Sequence, residues 1–454
     1  MLVAISDLHL SDCSTATNPH ATSIQLLMKE LEANIDAKEP TEICFLLNGD
    51  IFDLVRTSWW HENEVPADER PWGGKLDPAT GMNPIRAVEK QFQAVLAKVL
   101  AQTSSKALID GIKGLRDKNG KRATVRYTIG NHDRVLNNFP SLQQQIAAAF
   151  KPVEVTFANL HHAPDYGVFA RHGHQWETAC HGWEFLTQVL DKQSRAQRFD
   201  EASHRVMAIG EVITAELMSG FVWNVQQALP GDEHKAFRAM VAEVNNLRPQ
   251  LDVIAWFTWV MERDVSMDYL SCAKEAFEKA LKDTLATTLA KQWDRLKADF
   301  IVAGDITDYL DKALKILKGK HGLERLQELI PVLEKVEKVV TFVRGDREDD
   351  FYLGAAGELN GDELPPGVQY LLYGHTHTAR QACISAERDG RVRMYVNTGT
   401  FLPLIERADD RKTFFRSNRM TFICFYRKDE DTHDRRGDGP TMDVWDGMKR
   451  KDYI

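Results

Sequence analysis

Five short clusters of Asp, Asn and His punctuate the chain. In order they are Asp7-Leu8-His9, Gly49-Asp50-Ile51-Phe52-Asp53, Gly130-Asn131-His132-Asp133, His172-Gly173-His174 and Gly374-His375-Thr376-His377. Their donors are carboxylate, amide oxygen and imidazole, which suit Mn, Fe, Zn or Ni. No cysteine stands in any cluster, which argues against a thiolate zinc site of the structural kind. Taken singly each cluster is weak, because a DLH or GD pair is more often a loop or a helix cap than a ligand. His375 and His377, one residue apart, project to the same side of an extended segment and can serve one site.

The segments that precede the clusters share a pattern. "LVAIS", "EICFLLN", "ATVRYTI", "GVFA" and "VQYLLY" are short apolar runs of strand type, and each ends at a polar cluster. In sheets flanked by helices, ligands collect at the carboxyl ends of strands, so the five loops are expected to meet. Ile24, Leu27, Met28, Leu31 and Ile35 recur at helical spacing, as do Ile85, Val88, Phe92, Val95, Leu96 and Val99. The alternation predicts an α/β architecture.

Residues 59–84, rich in Pro, Gly and Asp, read as a long loop that could border the site. From residue 180 to 345 the chain turns rich in Ala, Leu, Lys and Glu, with Val206, Ile209, Val212, Ile213 and Leu217 at helical spacing. The predicted division is therefore a core at 1–179, a helical insertion at 180–345 and the rest of the core at 346–454. Trp256, Phe257 and Trp259 with Met261 are expected as helical core rather than as a contact for acyl chains. "RVRMYVNTGTF", "RMTFICFYR" and "TMDVW" return to strands. "VAGDITDYL" imitates the second cluster but falls out of chain order, so Asp305 is expected to cap a helix starting near Ile306. His161 and His162 are expected in an exposed hairpin turn.

Bulk properties narrow the function classes. A chain of 454 residues accommodates two or three domains, or one large domain with an insertion. Hydrophobic residues at 43% and charged residues at 27% are ordinary for a globular protein, and the net charge of −9 argues against a broad nucleic-acid footprint. Six scattered cysteines without a CxxC pair suit a reducing compartment. No basic, apolar leader follows Met1, so a cytoplasmic location is expected. The most apolar stretches are broken by Glu211 and Glu216 or too short for a bilayer, so no transmembrane segment is expected.

The five motifs together, in this order, resemble the calcineurin-like metallophosphoesterase superfamily, whose pattern is DxH, GDxxD, GNHD or GNHE, a His-Gly pair and GHxH. The resemblance covers residues 1 to about 178 and 368 to about 400. It implies a four-layer α/β/β/α sandwich of two mixed sheets flanked by helices, here with a large all-helical insertion. It also implies two divalent metal ions, Mn, Fe, Zn or Ni, at a dinuclear centre. Asp7, His9 and His377 would hold the first ion, Asp50 would bridge, and Asn131, His172 and His375 would hold the second; His174 is the alternative to His172. His132 would be the general acid or a phosphate donor, oriented by Asp53.

The implied reaction is hydrolysis of a phosphomonoester, phosphodiester or pyrophosphate by a metal-bridging hydroxide. Acidification of the bound water from a pKa of about 15.7 towards 7 makes that nucleophile available at neutral pH. Asp133 is expected to cap a turn, Asn397 to support the site or a turn, and Arg56 and Arg134 are candidate phosphate contacts. "SDLHLS", "LLNGDIFDL", "HGHQWE" and "YGHTHTA" are most similar to the branch that contains the UDP-2,3-diacylglucosamine pyrophosphatases. That branch carries a helical lid in the same slot, is much shorter, and usually has Arg at the position of His132. The expected partner is a phosphorylated small-molecule or lipid-linked substrate. An Mre-type DNA or RNA nuclease and a non-catalytic scaffold on the same fold are the rival readings.

Overall fold

The computed structural model describes residues 1–62, 65–248, 252–261, 266–296, 306–318, 347–361, 364–386, 392–410, 413–431 and 439–451. The apolar runs before the clusters form strands. β1 (Leu2–Ile5), β2 (Cys44–Asn48), β3 (Thr124–Thr128) and β4 (Val155–Ala158) lie parallel and adjacent. Then come β5 (His161–Ala163), β6 (Val168–Ala170), β7 (Leu247–Arg248), β8 (Tyr370–Tyr373), β9 (Ala379–Ala386), β10 (Val392–Thr398), β11 (Pro403–Arg407), β12 (Phe414–Tyr426) and β13 (Thr441–Lys451). They make two mixed sheets. The first has the order β4-β3-β2-β1-β12-β11-β7, with β13 along the other edge of the long β12; the second has the order β5-β6-β8-β10-β9.

Alternation along the strands decides what each sheet face meets. Leu2, Ala4, Cys44 and Leu46 share an apolar cluster with Val168, Ala170, Tyr370, Leu372 and Val396, so one face of each sheet packs on the other sheet. Val3, Ile5, Phe45 and Leu47 turn the opposite way, into a larger core with Ile24 and Leu31 of α1 (Ala21–Lys38). Each of those four strand residues is 0% exposed, and burial of each contributes about 1.5–3 kcal/mol. On the far face of the second sheet, Leu371 and Tyr373 pack with Phe351, Ala355 and Leu359 of the helix Arg347–Asn360.

The helical segments depart from expectation in detail. The helix Ala87–Leu100 begins after Ile85, which is 41% exposed rather than part of the apolar stripe. Residues 59–84 hold one short helix, Trp59–Glu62, yet Trp60 and Trp72 are fully buried with rings 5.5 Å apart. That segment is an anchor: Arg70 Nη1 and Trp72 Nε1 both donate to Glu216 of the mainly helical region, at 2.6 and 2.5 Å.

Between residues 183 and 317 the described chain is mostly helical, but not wholly. Leu247–Arg248 pairs in parallel with Ile405–Glu406 as β7, which corrects the expectation of an all-helical insertion. Leu247 is fully buried, and this apolar contact beside Ile405 is what a helical pattern in the sequence hid. The aromatic group of the insertion is core: Phe257 stacks on Phe277 at 4.9 Å, and Trp259 meets Phe414 of β12 at 5.4 Å. Glu201–Ala228 is long and apolar enough to cross a membrane, but 89% of its most apolar window is buried in the fold, as in a core helix. Its two breaking carboxylates are paired, Glu211 with Arg134 and Glu216 with Arg70, each at 2.6 Å. Asp305 lies outside the described residues; the helix it was expected to cap is present as Ile306–Leu317.

Candidate metal centre

β1, β2, β3, β6 and β8 deliver all five clusters to one place. The chain turns out of these strands through unusual backbone: Asp7, His9, Asp50, His375 and His377 all have φ between 43° and 69°. Among the described residues only Cys13 and Glu39 join them as non-glycine residues in this left-handed region. Such conformations are unfavourable for residues with a Cβ and gather at functional sites, where neighbouring structure enforces them. Here the enforcement is visible, because Asp7 N–H donates to Gly49 O at 3.1 Å and His9 N–H to Asp50 O at 2.9 Å. Gly49 has φ +87°, and a Cβ on it would collide with the His172 ring.

Asp7, His9 and His377 form one group of ligand atoms within 4.8 Å of one another. His377 Nε2 is 3.3 Å from Asp7 Oδ1 and 3.0 Å from His9 Nε2. The second carboxylate oxygen of Asp7 is held by Ser6 Oγ and by the His375 N–H, the latter at 2.9 Å. Asp50, His172 and His375 form a second group on the same criterion. Asp50 stands between the two: its Oδ2 is 3.7 Å from His9 Nε2 and 3.2 Å from His172 Nε2. The amide N–H of His132 fixes Asp50 Oδ1 at 2.8 Å, and a Cβ on Gly130 would strike the same oxygen, so the backbone on both sides of Asn131 lies against Asp50. His172 Nδ1 is turned to Asn48 O at 2.9 Å, leaving Nε2 directed at the carboxylates.

The electrostatics favour a cation. Burial raises the Asp7 and Asp50 carboxyls, but His172 and the other imidazoles outweigh it and hold both well below the usual range. Burial lowers His172, yet Asp50 and Asp7 override it and push that imidazole up to about 10. Two carboxylates packed this closely thus recruit a proton onto a ring whose nitrogen is placed to ligate. Asp7 Oδ1, Asn131 Oδ1 and His172 Nε2 are buried with no hydrogen-bond partner among the described residues. Buried polar atoms are normally satisfied, so a cluster of orphaned donors and acceptors fits bound metal.

Asp53 links ligand and acid. Its Oδ2 lies 2.9 Å from His9 Nδ1 and 2.8 Å from His132 Nδ1. Its Oδ1 accepts the N–H groups of Val55 and Arg56 at 3.0 and 2.9 Å. Burial raises the Asp53 carboxyl, and the neighbouring His132, His9 and Arg56 more than reverse this. Arg56 lies 3.1 Å from Asp53 through Nε, while Nη1 and Nη2 are buried without acceptors among the described residues.

Other residues take structural places. Arg134 is not a candidate phosphate contact: Glu211 binds it at 2.6 and 3.0 Å, and Asn138 and the Arg205 carbonyl take Nη1. Asp133 ties two loops together, accepting from Gly130 N–H at 2.6 Å, Tyr127 hydroxyl at 2.6 Å and Ile51 N–H at 3.1 Å. Asn397 does both things proposed for it: Nδ2 donates to Gly374 O at 2.7 Å and Oδ1 accepts from Gly399 N–H at 3.0 Å. His161 and His162 lie on β5, half-buried, and not in an exposed turn, because Ala163 pairs with Val168 and draws them into the second sheet.

Two site residues were missed. Arg248, from β7 within the mainly helical region, places Nη2 3.2 Å from His377 Nε2; nothing in its local sequence distinguishes it. Glu177 places Oε2 2.9 Å from His375 Nε2, and its one signal was its position in "HGHQWE". Comparisons of the chain with protein-family models, curated proteins and solved structures return no match.

Proposed function

We propose that the chain is a metal-dependent phosphoesterase of the calcineurin-like type, a four-layer α/β/β/α sandwich carrying a mainly helical insertion. The observation that carries this reading is the pair of donor groups, Asp7/His9/His377 and Asp50/His172/His375, meeting at strand ends with Asp50 between them. By this reading Asp7, His9 and His377 hold one divalent ion, Asn131, His172 and His375 hold another, and Asp50 serves both. When bound, two such ions acidify water and neutralise the charge on phosphoryl oxygens.

The chain's own residues supply the remainder. Asp53 Oδ2 lies 2.8 Å from His132 Nδ1 and would orient that ring so that Nε2 gives a proton to the leaving oxygen. The same carboxylate orients His9, so acid and ligand are set by one group. Arg56, with two guanidinium nitrogens lacking acceptors, and Arg248 stand beside the donor groups and suit an anionic phosphate. Arg248 comes from the insertion, which is how that region would take part in choosing a small-molecule or lipid-linked substrate.

The test is metal analysis of purified protein, then assay of phosphomonoesters, phosphodiesters, nucleotide diphosphate lipids and nucleic acids with Mn, Ni, Zn and Mg. Metal-dependent hydrolysis of at least one class is expected. Protein that binds no divalent ion and hydrolyses none of them defeats the proposal. Preferential turnover of nucleic acid would redirect it to the nuclease reading.

A further inference from the structure

A second group of buried histidines, separate from the two donor groups, adjoins the candidate centre; it includes His174, the alternative to His172. His174 opens the one-turn segment His174–Trp176, His181 follows the turn Thr178–Cys180, and His204 ends the helix Glu201–His204. We propose that His174, His181 and His204 bind a further divalent ion of the zinc class, in a site made of three imidazoles.

Geometry carries the assignment. One ring nitrogen from each residue falls within 4.8 Å of the others, and the ring centroids are 5.2 to 5.8 Å apart. All three residues are buried, at 2, 4 and 2% exposure. His174 Nδ1, His181 Nε2 and both nitrogens of His204 have no hydrogen-bond partner among the described residues. An orphaned buried polar group costs about 1–3 kcal/mol, and at least one such nitrogen on each of three adjacent rings points to an occupant that accepts a lone pair from each.

The donor set selects the ion. Three imidazoles without carboxylate suit Zn rather than Mg or Ca, and three protein ligands leave a fourth position open. A small cavity bounded by Trp176, Trp183, Glu184 and Arg198 reaches His181. Two cations lie near and are already engaged. Arg171 is bonded to Glu358 at 3.0 Å and stacked 3.9 Å from Phe199, and Arg198 lies over Trp176 and Trp183 at 4.4 and 5.1 Å. The His174 ring is 5.4 Å from that of His172 and 6.2 Å from that of His375, so the new site borders the proposed second ion.

The site stands apart from the phosphoesterase reading, and one experiment separates them. Full-length protein, stripped by chelator, is titrated with Co²⁺ while visible absorption and bound metal are read, alongside Asp50→Asn, His181→Asn and His204→Asn. The expected result is an intense band of low-coordinate cobalt and one equivalent of metal, both lost in each histidine variant and kept in Asp50→Asn. Equal stoichiometry and an unchanged spectrum in wild type and both histidine variants overturn the site and leave a water-filled histidine cluster. Where a histidine variant does not fold, X-ray absorption at the zinc edge of Asp50→Asn protein decides. Three imidazoles around the retained ion support the site, and coordination without them overturns it. Metal content untouched by Asp50→Asn counts against the dinuclear reading alone, because Asp50 is not one of the three ligands.

Discussion

The strand-end cluster and the three-histidine cluster share a wall but are built differently. The first contains the carboxylates of Asp7 and Asp50, and five of its residues sit in left-handed backbone. The second contains no carboxylate, and none of His174, His181 and His204 has a positive φ. Charge explains the contrast. Carboxylates buried side by side repel unless a cation or proton lies between them, and both Asp7 and Asp50 are held in constrained turns. Neutral imidazoles do not repel, and ordinary one-turn helices suffice to assemble them. A metal-free strand-end site therefore holds positive charge in some other form, as it does on His172, whereas a metal-free histidine cluster only leaves nitrogens unsatisfied.

The largest effect that would break this contrast is at Asp50. Asp50→Asn removes the carboxylate between the two donor groups and is expected to reduce hydrolysis below detection, with loss of metal from that centre; retained turnover on the best substrate would refute its central place. Next is His132→Ala, expected to lower kcat by about 10²- to 10⁴-fold while metal content, read by elemental analysis, stays at the wild-type value. Loss of metal in that variant would instead make His132 a ligand.

Asp53→Asn touches both sides of the chemistry. It is expected to weaken metal affinity by about 10- to 100-fold, in competition with a chelator, and to lower kcat through His132. An effect on kcat alone would show that the contact with His9 is incidental. Arg248→Met probes the insertion: removing a charged donor to phosphate costs about 1.5–3 kcal/mol, so kcat/KM should fall by roughly 10- to 150-fold. If kcat/KM is unchanged, the insertion reaches the site without recognising phosphate. The smallest shift is expected at Asn397→Ala, which loosens the Gly374 carbonyl behind His375 and should lower the melting temperature and metal affinity only modestly.

Much of the strand-end site was legible in the sequence because its signals are local. An apolar run followed by Gly-Asp or Gly-His marks a strand and its exit, and Gly49 and Gly130 are needed where a Cβ would strike His172 or Asp50. The three-histidine cluster carried no such signal, since His181 and His204 follow no strand and are separated by helical and irregular segments. Arg248 was hidden for a related reason. A two-residue strand within a helical region leaves no periodicity to read, and Arg248 matters only because β7 pairs with β11 across the chain. Arg134 misled in the opposite direction: beside the GNHD motif it looked available for phosphate, while its true partner, Glu211, is 77 residues away.

Donor types, their order and the strands that precede them were written in the amino-acid sequence, since each depends only on neighbours along the chain. Which buried groups are brought together, Arg134 with Glu211, Arg248 with His377, and His174 with His181 and His204, was decided by tertiary structure. The physical reason is that pairing and desolvation depend on distance through space, and the fold alone sets those distances.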